Sequence, residues 1–491
     1  MGKPEARLKG IDRTQMYWGD VDLESLIGAD HRARAIWELI SQQPVDLFLE
    51  KNKSVSGRAG AERTDPRLLI SVWVYGFTLG IGSARELERR LEQEPGLRWL
   101  SGDGRINHHT LSDFRVDHGA ALDALFARVL AVMSQAGLVK LEQLTVDGTK
   151  IQAQASGASF RREPTLEERL QQAETLLEQL RQETGDDALR SQRQAARLRA
   201  AREQVRRMQD GLEQLQQIRQ RKPAAEQGQA RVSLSEPDAR IMKTGQGGYA
   251  PCYNVQVVTD AANKIVLDVE ATQQASDQQQ LEPALERMAA LGAGAPQVIV
   301  DGGYVNANSI AQATQKGVEL IGPAQNREQE QARRKRQSLA AAGIAAEFGP
   351  QAFRILENGV ALQCPAGQRL PRISQTADYN QYRAPASACG ACAERARCCP
   401  KSGARSVKIA QPNPLVEQFR ERMQQPEYEQ IYRLRGAVAE FPHAWWKDKF
   451  NLRKFHVRGL AKAQIEVKWA ALAYNIQQWF RLSWLPRLNP A

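Results

Sequence analysis

Residues 432–479 read YRLRGAVAEFPHAWWKDKFNLRKFHVRGLAKAQIEVKWAALAYNIQQW, and the fold turns on this stretch. Glu440 sits in an apolar patch made by Ala437, Val438, Ala439 and Phe441. A basic run follows, with Lys447, Lys449, Arg453, Lys454, His456, Arg458 and Lys462 against Asp448. Trp445, Trp446, Phe450 and Phe455 are interleaved with it. Lys and Arg neutralise phosphates, and aromatic faces stack on unpaired bases. A carboxylate beside such a surface can bring a metal to a phosphodiester. A solvated basic helix with an aromatic core face gives the same pattern. The spacing Tyr432-x2-Arg435-x4-Glu440-x6-Lys447 adds to the first reading. At about 100° per residue the four side chains fall within an arc of about 140°, one side of a helix. Pro442 lacks a backbone donor, so a kink or restart is expected there, with Lys447 out of phase.

Length and composition set the frame. A chain of 491 residues has room for roughly two to four domains. Its 42% hydrophobic and 25% charged content is ordinary for a soluble protein. A net charge of +11 favours an anionic partner, nucleic acid before membrane. The N-terminal MGKPEARLKGIDRTQ has no apolar core of a signal peptide, and Ala6 breaks the myristoylation pattern. No apolar run is long enough to span a bilayer, so no membrane partner is expected. The expected location is the cytoplasm. The six cysteines are mostly clustered. Without a signal sequence, that suggests metal ligands or free thiols before disulfides.

Residues 1–138 read as helical. Asp65 and Pro66 form an N-cap and first-turn pair ahead of the core helix LLISVWVYGFTLG. Ser83 and Glu86 suggest a capping box for ARELERRLEQ, and Thr110 a cap for LSDFRVDH. His108 and His109 read as surface histidines of a turn. Short helices with tight turns fit a helix-turn-helix or a plain bundle. LEQLTVDGTKI (residues 141–151) reads as a strand ending near Asp147. Residues 165–222 read as an inserted antiparallel helical hairpin with a heptad seam. Leu166, Leu170, Ala173, Leu177 and Leu180 form one side, and Leu198, Ala201, Val205, Met208, Leu212 and Leu215 the other, with GDD at 185–187 as the break. Spacing, dimer contact or DNA-backbone contact would be its work.

Period-two segments return at 253–271, paired across DAANK. Asp260 fits that turn, and Ser276 or Asp277 fits a cap for a helix through Met288. QVIVDGGY is an apolar strand ending at Asp301, and a helix and the strand VELIGP follow. Asp301 stands at the carboxyl end of its strand, where open α/β sheets place ligands. Residues 324–424 read as an irregular insertion with a charged run, ARRKRQ. Cys389-x2-Cys392, with Cys364 and Cys398 or Cys399, could make a tetrahedral structural Zn²⁺ site. Reduced or buried thiols are the alternative.

Asp147, Asp301 and Glu440 therefore come from two strands and a late helix. Three such carboxylates can converge on one sheet edge and hold Mg²⁺ or Mn²⁺ with waters and phosphate oxygens. Two such ions activate an attacking oxygen and stabilise a leaving one.

These residues resemble the bacterial insertion-sequence DDE transposases, in the branch with a Tyr-Arg-Glu-Lys signature. LTVDGTKIQA resembles the first-aspartate motif and IVDGGYVNANSI the second. VSLSEPDARIMKTGQGGYAPCYNVQVVTD resembles the lead into the central hairpin, and TDPRLLISVWVYGFTLGIGSARELERRLE the N-terminal helical domain. RKFHVRGLAKAQIE and ALAYNI resemble the C-terminal signature, whereas GDGRINHHTLSDFR is a loose version of its counterpart. The resemblance lapses over the hairpin and parts of 324–388. It implies an α/β fold: a ribonuclease H-like mixed sheet core at 139–323 and 425–491, an N-terminal helical DNA-binding domain at 1–138, and the two insertions. It implies Asp147, Asp301 and Glu440 as catalytic Mg²⁺ or Mn²⁺ ligands. Tyr432, Arg435 and Lys447 become contacts to the transposon end, with Trp445, Arg453, Lys454 and Arg458 on the same DNA-facing run. Asn475 stands at another matching position. The implied activity is cleavage and strand transfer at terminal inverted repeats, into target DNA, by a homodimer. A catalytically silent DNA-binding relative and a metal-dependent nuclease are the alternatives.

Overall fold

A computed structural model describes residues 8–15, 22–50, 54, 62–184, 192–245, 247–292, 296–323, 336–376, 379–411 and 413–488. The expected break at 185–187 and most of the ARRKRQ run lie outside these residues. The chain is a mixed α/β protein in two compact units, Met1–Ile299 with Leu434–Ala491, and Val300–Arg433. Among the described residues no helix is long and apolar enough to cross a membrane.

The first unit opens with a short parallel pair, Leu8–Lys9 with Arg63–Thr64, and among the described residues is otherwise helical as far as Gln135. Asp65 caps Pro66–Thr78 by accepting from the Arg67 N–H at 2.8 Å, as an Asp-Pro pair should. Nearly every side of that helix is buried, because its sequence is apolar all round. Two expected caps are corrected. Ser83 makes no side-chain cap for Ala84–Leu91, and Glu86 pairs with Arg89 and Arg90 instead. His108–Asp117 is capped by Asn107, whose Oδ1 accepts from Thr110 N at 2.8 Å. His108 and His109 therefore belong to the first turn of a helix, where His108 meets Glu88 at 2.7 Å.

The sheet of this unit is built on Gln143–Gln152 and Tyr249–Asp260, paired antiparallel from Leu144↔Asp260 to Gln152↔Cys252. Gln297–Val300 lies on the other side of Gln143–Gln152. Arg240–Lys243 pairs with the start of Tyr249–Asp260, and Val266–Thr272 with its remainder. The hairpin turn is fixed by Asp260, fully buried, which accepts from the backbone N–H of Lys140 and Leu141. Asp277 does not cap a helix. The helix starts later, at Leu281–Ala290, and Asp277 Oδ1 accepts from Asn254 and Gln256 on the sheet at 2.7 and 2.8 Å.

Leu460–Trp479 joins the two layers. It packs against Val266–Thr272 on one side and against Pro66–Thr78 and Gly119–Gln135 on the other. Trp469, Ala470, Leu472 and Tyr474 are all buried there, each large apolar side chain contributing about 1.5–3 kcal/mol. Glu163–Thr184 and Gln192–Gln220 form a helical hairpin, with Ala173, Leu177, Leu180, Leu198, Ala201 and Val205 closing the seam.

The second unit corrects the irregular reading of 324–424. Arg354–Leu356, Ala361–Gln363, Arg369–Gln375, Tyr379–Arg383 and Ser406–Ala410 form an antiparallel meander. Phe353, Leu362, Leu370, Tyr382 and Val407 fill its core together with Cys389 and Cys399.

Candidate active site

Asp147 lies in the middle of Gln143–Gln152, where the sequence had suggested the strand's end. The strand continues because Thr149 and Ile151 keep the apolar face, opposite Val255 and Tyr253. Asp147 sits on that same face, opposite Val257. Its Oδ1 accepts from the Gly148 N–H at 2.8 Å.

Pro426–Asp448 is one helix that runs through Pro442. The proline costs the helix one backbone bond, to the Val438 carbonyl, but both residues are buried and the helix does not restart. Lys447 therefore stays in phase with Arg435 and Glu440. Arg435 Nη2 donates to Asp147 Oδ2 at 3.1 Å. Lys447 Nζ donates to the hydroxyl of Thr149, two residues further along the strand. The twelve residues from Arg435 to Lys447 rise about 18 Å, and Asp147 to Thr149 spans about 7 Å. The long Arg and Lys side chains therefore converge from well-separated points of the helix on two nearby residues of the strand.

Glu440 remains outward, its side chain 68% exposed, with Oε1 4.0 Å from Arg435 Nη1. One guanidinium therefore stands between the two carboxylates. His443, one turn after Glu440, was missed from the sequence. Its Nδ1 lies 4.0 Å from Asp147 Oδ2. Burial, with Lys447 and Arg435 nearby, pushes its pKa down to about 3, so the imidazole is neutral. Burial lowers Lys447 too, and Arg453 adds to that, while Asp147 works in the opposite direction. The position of His443, three after Glu440 and four before Lys447, was the available signal.

Asp301 and Tyr432 belong to the second unit. Asp301 directly follows the strand Gln297–Val300 and is exposed, its Oδ1 accepting from Gly302 N. Among the described residues no group of three or more His, Cys, Asp or Glu side chains is placed to hold a metal ion.

Residues 363–480 match the family model described as Transposase DDE domain. Residues 21–117 match the one described as Transposase domain (DUF772). Together the two matches support an insertion-sequence DDE transposase. No curated protein matches the chain. The transposase DDE match takes in Tyr432, Arg435, Glu440 and Lys447, and also the cysteines at 364–399. Asp147 and Asp301 fall outside both matched ranges.

The rest of the transposase signature divides between surface and core. Arg453, Lys454 and Arg458 are exposed, and Arg453 pairs with Asp448. Their backbone is pinned to the end of Asp147's strand, Gln152 N donating to Arg453 O at 3.0 Å and Phe455 N to Gln152 O at 2.9 Å. Trp446, Phe450 and Phe455 are fully buried, so the aromatic run is largely a core face and not a stacking surface. Trp445 is half-buried against Phe441 and Tyr474, with Arg481 over its ring. Asn475 is buried and hydrogen-bonds only backbone.

Buried acids that no local pattern singles out hold this region together. Glu236, in the SEPDAR segment, accepts from Ala155 N, Tyr253 Oη and Gly459 N at 2.8–3.0 Å. Glu466 accepts from the backbone and ring of His456 and lies 3.8 Å from Arg115.

In the second unit, Cys364, Cys389, Cys392, Cys398 and Cys399 line one small space. Backbone N–H groups of Gln368 and Arg405 donate to the sulfurs of Cys364 and Cys389 at 3.2 and 3.4 Å. Burial pushes the Cys398 thiol up to about 11, which suits packed thiols in an apolar core.

Proposed function

We propose that the chain binds the terminal inverted repeats of its own insertion sequence, cleaves DNA there and joins the freed 3′ end to target DNA. The reading rests above all on Arg435 meeting Asp147 at 3.1 Å. That contact sets the Tyr-Arg-Glu-Lys helix against the strand of the first aspartate. It brings the two segments to one place, which neither sequence pattern does alone.

Asp147, Asp301 and Glu440 are the proposed catalytic carboxylates, on a ribonuclease H-like core formed by 139–323 and 425–491. Residues 1–138 are the proposed DNA-binding domain. The hairpin at 165–222 is the candidate contact in a homodimer on DNA.

The donor set suits a hard divalent ion. Asp147 and Glu440 offer carboxylate oxygens, and the space between them already accommodates a cation, the Arg435 guanidinium. Mg²⁺ or Mn²⁺ bound there would lower the barrier for the attacking and leaving oxygens of a phosphodiester. The chain's own residues do the rest. Lys447 and Arg435 face a scissile phosphate with positive charge, and the guanidinium can fork two of its oxygens. Neutral His443 fills the space behind Asp147 without adding charge. Arg453, Lys454 and Arg458 extend the basic surface along the flanking backbone, and Tyr432 and Trp445 complete the proposed end contact.

The test is a duplex carrying the repeats from the element's own flanks, incubated with and without Mg²⁺. Wild type should nick at the repeat boundary and give joined products on a denaturing gel. Glu440→Gln should bind the same duplex and do neither. Binding with no cleavage by wild type would favour a silent DNA-binding protein, and nicking without joined products a nuclease.

A further inference from the structure

We infer that Arg435 is the resident counter-cation of the proposed metal site, so that a divalent ion loads well only after DNA phosphate has drawn the guanidinium away. The inference rests on the transposase reading and deepens it, because it sets the order in which metal and DNA meet the site.

The geometry is that of a cation held by two carboxylates. Arg435 Nη2 is 3.1 Å from Asp147 Oδ2 and Nη1 is 4.0 Å from Glu440 Oε1. A metal shared by Asp147 and Glu440 would need the space that the guanidinium fills. The Asp147 and Arg435 side chains are only 13% and 16% exposed, so water and salt screen their attraction weakly. Lys447 lies on the same helix and donates to Thr149, beside Asp147. A divalent ion arriving alone would meet two fixed positive charges from one helix and one exposed carboxylate, Glu440, held loosely.

Phosphate changes this balance. A guanidinium matches the oxygens of a phosphodiester as well as those of a carboxylate, in the same two-pronged manner. Arg435 can therefore exchange its hydrogen bond to Asp147 for one to a backbone phosphate. The phosphate also adds negative charge to a site short of it. The same side chain is then a brake on metal binding in the free protein and a DNA contact in the complex.

The experiment measures Mn²⁺ binding from the electron paramagnetic resonance signal of the free ion, with full-length protein and no DNA. Wild type, Arg435→Gln, Arg435→Met, Arg433→Gln and Asp147→Asn are compared, each checked for folding by thermal unfolding. The polar and apolar replacements at 435 guard against one of them misfolding. Arg433 is exposed on the same helix and paired with Glu429, so Arg433→Gln removes a like charge without touching Asp147. Both Arg435 variants should bind Mn²⁺ about tenfold or more tighter than wild type, with Arg433→Gln unchanged. A duplex oligonucleotide should strengthen Mn²⁺ binding in wild type far more than in the Arg435 variants. Equal affinity in wild type and both Arg435 variants, with binding still lost in Asp147→Asn, would overturn this inference alone. Binding that ignores Asp147→Asn with and without DNA would overturn the active-site reading with it.

Discussion

Asn475 hydrogen-bonds both backbone groups of Val266: its Nδ2 donates to the Val266 carbonyl at 2.7 Å and its Oδ1 accepts from the Val266 N–H at 2.9 Å. Val266 opens the second strand of the central hairpin, and Asn475 lies near the C-terminal end of the helix Leu460–Trp479. A side-chain amide thus completes the sheet where its edge would otherwise be buried without partners. Asn475→Ala should lower stability by about 2–4 kcal/mol, since two buried backbone groups lose their partner at once. Urea unfolding of the purified variant measures this. A loss under about 1 kcal/mol would mean the two groups find other partners.

Glu440 should behave in the opposite way. Its side chain is 68% exposed and meets Arg435 only at 4.0 Å. Glu440→Gln should shift stability by less than about 0.5 kcal/mol, the usual range for a surface change, while cleavage of the repeat duplex is lost. Thermal unfolding and the cleavage gel, run on the same preparation, separate the two effects. A variant that unfolds early would make any loss of cleavage uninformative about chemistry.

His443 gives the protein an acid limb of its own. The folded state takes up this proton only near pH 3, the unfolded chain near pH 6.5. Between those values the unfolded state binds more protons, so stability falls as pH falls, by about 1.4 kcal/mol per unit. Above pH 6.5 the group has no effect. The pH dependence of urea midpoints for wild type and His443→Gln should diverge below about pH 6.5, with wild type the steeper. Parallel curves down to pH 4 would show that the imidazole is not held neutral.

Glu466 is buried with Arg115 at 3.8 Å and accepts from the His456 backbone and ring at 2.9 and 2.7 Å. Arg115 comes from the N-terminal helices and donates to the Gly82 carbonyl, so the cluster ties those helices to the C-terminal segment. Gly82 is suited to the place because a Cβ there would lie 2.1 Å from the His456 ring. Glu466→Gln leaves the Arg115 charge uncompensated and should cost about 3–5 kcal/mol. Loss of expression at 37 °C with partial recovery at lower temperature is the simplest sign, and denaturant unfolding the quantitative one.

The cysteines can be sorted by reactivity. Cys252, Cys389, Cys398 and Cys399 are buried, whereas Cys364 and Cys392 are half-buried. In the native protein at pH 8 a thiol reagent should modify two cysteines quickly and the other four only on unfolding. Protection of Cys364 and Cys392 as well, released by a chelator, would instead mark a bound Zn²⁺.

The local signals read well where neighbours in sequence are also neighbours in space. Asp65-Pro66 starts its helix as written, and the two runs of leucine and alanine close the hairpin seam. They failed where a distant group competed for the same atom. Glu86 prefers two arginines on its own helix face to the Ser83 backbone. Asp277 leaves its helix to take up Asn254 and Gln256. Short polar strands were invisible: Arg369–Gln375 buries one residue, Leu370, and so shows no alternation.

The chemistry available is written in the residues: the Tyr432, Arg435, Glu440 and Lys447 spacing, the basic run after it, and aspartates beside β-forming segments. Spacing along a helix is local geometry, and residue type sets charge and donors. Which of these groups meet depends on the folded chain. It carried the helix through Pro442, laid Arg435 on Asp147 and Lys447 on Thr149, and turned Glu440 outward. It buried Trp446, Phe450 and Phe455 where the sequence allowed a stacking surface. The reason is that such choices depend on which apolar face the sheet offers to the helix. Asp147 and Thr149 lie 288 and 298 residues from Arg435 and Lys447 in the chain, so no local pattern can specify the meeting.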